Sequence, residues 1–104
     1  MREQLEKHIE DISLLTVMLG ESDEPGFQMS LESCEAIYEL AKTSKEHKVL
    51  AEACRYILDL GQGTDRKALF TALQEFSAAA QAYLRDPASA RFPGGAPADK
   101  VAAV

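Results

Sequence analysis

The chain has 104 residues and a mass of 11.4 kDa, with 46% apolar and 27% charged side chains, the composition of one small globular domain and not of a disordered segment. Seventeen acidic against eleven basic side chains give a net charge of −6 and a pI near 4.8. That balance lacks the positive excess that phosphate neutralisation requires, which excludes nucleic acid as the default partner, and two cysteines without paired spacing exclude a disulfide scaffold.

Residues 4–19 carry Leu5, Ile9, Ile12, Leu15 and Leu19 at intervals of three and four, the spacing of an amphipathic helix. Leu14, Val17 and Met18 widen its apolar stripe, and Gly20 stands where a helix cap would fall. Glu21 to Gly26 then reads as a loop, because Pro25-Gly26 follows a polar run. A second helix is expected from near Ser30, whose hydroxyl is suited to capping, with Leu31, Cys34, Ile37, Tyr38 and Ala41 on one face. Phe27 and Met29 precede that cap and are placed to staple the entry.

Thr43-Ser44-Lys45-Glu46 matches a capping box and predicts the start of a third helix, continued by Val49, Leu50, Ala53, Cys54, Ile57, Leu58 and Leu60. Gly61-Gln62-Gly63 is expected to break it. A fourth helix begins at Thr64 or Asp65, presents Leu69, Phe70, Leu73, Phe76, Ala80, Tyr83 and Leu84, and ends at Asp86-Pro87.

Three of the four prolines and a Gly94-Gly95 pair fall beyond residue 85, so residues 86–104 read as a Pro/Gly/Ala-rich flexible tail with Phe92 and Val101 as its anchors. Residues 1–85 form the folded unit. The fold class predicted is all-α, a four-helix up-down bundle, because short connections favour antiparallel neighbours. A three-helix core with a swapped or dimer-facing first helix is the alternative. No stretch approaches the ~20 apolar residues of a membrane span, and the charged N-terminus lacks the pattern of a signal peptide. A cytoplasmic location without membrane association, and reduced thiols, are therefore expected.

Charge is unevenly distributed. Residues 1–40 hold ten acids and two bases, a balance of −8, whereas residues 41–85 hold seven bases and five acids, a balance of +2. The acidic half suits a basic partner, and Lys42, Lys45 and Lys48 suit an acidic one. A solvated, solubilising face explains the same charges.

Individual side chains add little chemistry. His8 has Asp11 one turn later, but one His and one carboxylate do not close a zinc site. His47, among Lys45, Glu46 and Lys48, lies at a helix start, where the positive helix end disfavours its protonation. Cys34 and Cys54 fall on apolar stripes, which favours inert core packing over a redox pair. Gly61 to Thr64 lacks the lysine and the preceding strand of a phosphate loop, and Glu21 to Glu24 lacks the ligand pattern of a calcium loop. No catalytic residue, no cofactor-binding residue and no metal ligand set is assigned.

The stretch from Cys34 to Leu84 resembles the second half of a histidine-containing phosphotransfer (HPt) domain, a helical bundle. The likeness is carried by Leu50-Ala51-Glu52-Ala53-Cys54 and by Leu60-Gly61-Gln62-Gly63-Thr64-Asp65. The family's acceptor motif is His-x-x-Lys-Gly. Matching through Leu50 to Cys54 places Ala36 or its neighbours at the acceptor and Glu39 where the lysine belongs, and no histidine occurs between His8 and His47. The resemblance therefore implies a member degenerate in phosphotransfer and used for binding.

The function expected is a non-enzymatic helical protein–protein interaction module, of the signalling-adaptor kind. Its partner would be another protein, met by Glu6, Glu10, Val17, Met18, Phe27, Lys42, Lys45 and Lys48; the same apolar excess on the first helix suits a homodimer. The alternatives are a His-dependent phosphotransfer protein using His8 or His47, and a small acidic helical chaperone for a secreted or assembling partner.

Overall fold

Regular apolar spacing becomes four α-helices in the computed structural model, which describes residues 2–93. They are α1 (Arg2–Met18), α2 (Glu24–Ala41), α3 (Lys48–Gln62) and α4 (Arg66–Arg85). Two short 3₁₀ turns, Lys45–His47 and Pro87–Ser89, precede α3 and follow α4. There is no strand among the described residues, and the architecture is an all-α four-helix bundle. α1 packs on α2 and α4, and the pairs α2–α3 and α3–α4 complete the ring. The first helix is thus part of the core.

The interior is built from Leu5, Ile9 and Ile12 of α1, Phe27 and Ile37 of α2, Leu50 and Ile57 of α3, and Leu69, Leu73 and Phe76 of α4, all essentially inaccessible. Cys34 and Cys54 are buried among them as free thiols. Burial pushes both thiols up, and the neighbouring Cys54 raises Cys34 further. They pack as small apolar groups, with no thiolate character to make them reactive.

The second helix starts six residues earlier than its sequence suggests. Asp23 is its cap, accepting from the Gly26 amide at 3.0 Å, and Pro25 sits in the first turn, where a missing N–H costs no hydrogen bond. Gly26 is required there, because a Cβ would run into the Asp23 carboxylate and lie 2.8 Å from Leu19. Two expectations are corrected by this shift. Phe27 is fully buried, and Ser30 lies inside the helix with no partner for its Oγ among the described residues.

The capping box at Thr43 does not form either. Tyr83 Oη donates to the Glu46 carbonyl at 2.9 Å, taking the acceptor that a helix entered at Thr43 would offer to Leu50. The chain makes the 3₁₀ turn instead, and α3 begins at Lys48. At its other end α3 runs through Gly61 to Gln62, where the sequence suggests a break. Leu31 of α2 packs on the bare Gly61 backbone so closely that a Cβ would come within 2.6 Å of it.

Asp65 caps α4 as expected, accepting from the Ala68 amide at 3.0 Å, and the helix ends at Arg85 before Pro87. Arg66 then ties three elements together. Its guanidinium donates twice to Glu24 of α2, at 2.9 and 2.8 Å, reaches the Gly63 carbonyl at 3.1 Å, and lies over the Phe27 ring. The packed part of the chain continues past Arg85: Phe92 is buried against Phe76 and Tyr83, with ring centroids 5.6 and 5.9 Å apart. The other expected anchor, Val101, lies outside the described residues.

Candidate functional site

α1 faces α4 through hydroxyl groups. Ser13 Oγ donates to the Ile9 carbonyl at 2.8 Å and Thr16 Oγ1 to the Ser13 carbonyl at 3.0 Å, both within the helix. From α4, Ser77 Oγ donates to Ser13 Oγ at 3.2 Å, and Gln74 Nε2 to the Thr16 carbonyl at 2.7 Å. Ser13 and Thr16 are buried. With these positions turned inward, the helix must carry its neighbouring apolar residues outward.

Leu14 is 62% exposed, Val17 83% and Met18 82%, and Met29 at the start of α2 is 53% exposed. Val17 and Met18 close α1, and Leu14 and Met29 line its seam with α2. A groove of 460 Å³ runs between the two helices. On α1 its wall is His8, Asp11, Leu14 and Leu15. On α2 it is Met29, Glu32, Ser33 and Ala36. The apolar end lies at the connection, and the polar stretch with its two carboxylates lies farther along. No lysine or arginine lines it. Met18 continues the line of His8, Asp11 and Leu15 on α1 by helical spacing.

The residues expected to form one surface fall in separate places. Val17 and Met18 stand exposed at the C-terminal end of α1. Glu6 pairs with Arg2 at 2.9 Å, and Glu10 lies beside it over the α1–α4 seam. Arg2 also donates to the Leu84 carbonyl at 2.9 Å. Lys42, Lys45 and Lys48 are exposed around the α2–α3 connection, at the end of the bundle away from Val17 and Met18. Lys42 is 2.8 Å from Glu39, and this partner raises its pKa. Phe27 faces the core. Leu14 and Met29 are outside the expected contact set: the width of the apolar arc on α1 is the sequence signal for Leu14, whereas Met29, expected to staple the entry of α2, stands exposed in the groove wall instead.

Both histidines are partly buried. His8 is half-buried in the α1–α2 groove. His47 occupies the position just before α3 with its side chain only 13% exposed, and its Nδ1 lies 2.6 Å from Tyr83 Oη. The one proton of Tyr83 goes to the Glu46 carbonyl, so His47 donates from Nδ1. Burial, and then the Glu46 charge, push the Tyr83 hydroxyl upward in pKa, which keeps it protonated. This cluster holds the turn before α3. Among the described residues no three His, Cys, Asp or Glu side chains group as metal ligands would, and no helix is long and apolar enough to cross a membrane. In comparisons with known proteins no family model, no curated protein and no solved structure matches the chain.

Proposed function

We propose that this protein is a non-enzymatic helical interaction module that binds another protein through the outer face of α1. The observation that carries this reading is the exchange on α1: hydroxyls occupy interior positions while Leu14, Val17 and Met18 stand in solvent, with Met29 exposed on α2 across the groove from Leu14. Exposed large apolar side chains scattered singly are ordinary, but Leu14, Val17 and Met18 are neighbours on α1 at intervals of three and four residues and form a patch of the kind that partners cover. The likeness of residues 34–84 to phosphotransfer domains supports a place in signalling, as an adaptor. Phosphotransfer itself has less support. A phosphodonor approaching His8 would meet the carboxylates of Asp11 and Glu32, with no cation in the groove wall to receive it.

The test is capture on immobilised protein from an extract of the native host, with Val17→Glu/Met18→Glu as the comparison. Both side chains are more than four-fifths exposed, so the variant keeps its fold, which circular dichroism checks. The wild type is expected to retain a partner that the variant loses by at least ~10-fold, the effect of burying an unpaired charge in an apolar contact. Equal retention by both proteins, or no partner on either, rejects the reading.

A further inference from the structure

We infer that the α1–α2 groove receives a basic amphipathic helix of a partner protein, laid along the seam with its apolar residues toward Leu14, Leu15 and Met29. This rests on the interaction reading and specifies its site and ligand. Length is the first argument. The groove wall extends from His8 to Leu15 on α1 and from Met29 to Ala36 on α2, eight residues each and about 10 Å of helix from first to last. That is the span of three anchors at i, i+4 and i+7, the pattern by which an amphipathic helix enters a groove. Met18 extends the apolar end by one more turn.

Charge decides which helix. Asp11 and Glu32 stand in the two walls, and the segment that supplies both walls carries ten acids against two bases. One of those bases, Arg2, is held by Glu6 and the Leu84 carbonyl. The other, Lys7, lies beside His8 at the polar end. Lysines or arginines flanking the ligand's apolar stripe would therefore meet two carboxylates midway along the groove that form no ion pair among the described residues. A second copy fits less well. A two-fold contact through α1 and α2 would set one −8 segment against another, which like-charge repulsion disfavours.

The experiment uses the full chain and a fluorescent peptide with leucines at i, i+4 and i+7 and flanking lysines. Its controls are a scrambled peptide of identical composition and an analogue with glutamate in place of lysine. Anisotropy is expected to show saturable binding that weakens as salt is raised, and at least ~10-fold weaker binding by both controls. Leu14→Lys and Asp11→Lys/Glu32→Lys are each expected to weaken binding at least ~10-fold, and amide shifts on titration should concentrate in α1 and α2. Equal binding of the scrambled peptide, shifts centred on α3 and α4, or indifference to both variants would overturn the proposal. Dimerisation of the wild type, abolished by Leu14→Lys, would also overturn it by assigning the groove to a second copy. A native partner that depends on Val17 and Met18 but is untouched by Leu14→Lys and Asp11→Lys/Glu32→Lys refutes the groove and leaves the interaction module standing. Absence of any native partner rejects that broader reading.

Discussion

Ser30 is wholly buried in α2, and its Oγ finds no hydrogen-bond partner among the described residues. A desolvated hydroxyl left unpaired costs about 1–3 kcal/mol, and alanine is also the better helix former. Ser30→Ala is therefore expected to raise the urea midpoint of unfolding. A lower midpoint would show that the hydroxyl is paired. The buried hydroxyls of α1 behave oppositely, since Ser13 Oγ and Thr16 Oγ1 donate to carbonyls of their own helix and Ser13 Oγ also accepts from Ser77 of α4. The same residue type thus stabilises one seam and burdens another, according to whether an acceptor is within reach. Nothing in the sequence around Ser30 distinguishes these cases, because the partner is a matter of three-dimensional neighbours.

Helix ends show which contacts are local. Asp65 is legible as a cap because its acceptor bond closes within three residues, and Pro87 is legible as a terminator for a similarly local reason. The entry to α2 is not, although Asp23 and Pro25 carry the proper signals, because Pro-Gly in a polar run equally suits a loop. What holds that entry is Arg66, forty-two residues away, which grips the Glu24 carboxylate with two bonds. Arg66 first, and then Gln28, hold the Glu24 carboxyl below its ordinary pKa. The stabilisation from this pair is therefore complete above the ordinary carboxylate pKa and is lost as the pH falls through the depressed one. Glu24→Gln is expected to lower the thermal midpoint at neutral pH, with the difference from wild type closing on acidification. A difference that persists at low pH would assign the effect to helix propensity instead of the ion pair.

Across the bundle, the segment after α4 completes the core. Phe92 rests on Phe76 and Tyr83, and Tyr83 in turn holds the Glu46 carbonyl and His47. One aromatic side chain therefore links the end of the described chain to the turn before α3. Phe92→Ala is expected to cost about 3 kcal/mol, read as a lower urea midpoint, by removing a buried ring from a packed aromatic cluster. An unchanged midpoint would mean that this segment adds nothing to the fold. The charge asymmetry also belongs to the assembled molecule: α1 and α2 are neighbours, so their −8 becomes one face, with the proposed groove running through it.

The all-α class, the four helices and the burial of both cysteines follow from apolar spacing, which acts over a few residues and is written in sequence order. The rotation of α1 about its own axis is different. Its apolar arc is wider than its neighbours can cover, so periodicity alone does not say which part turns inward. α4 decides this by meeting α1 with Ser77 and Gln74, which draw Ser13 and Thr16 to the interior. Leu14, Val17 and Met18 are left outside as a consequence, and the groove beside α2 exists because of that rotation.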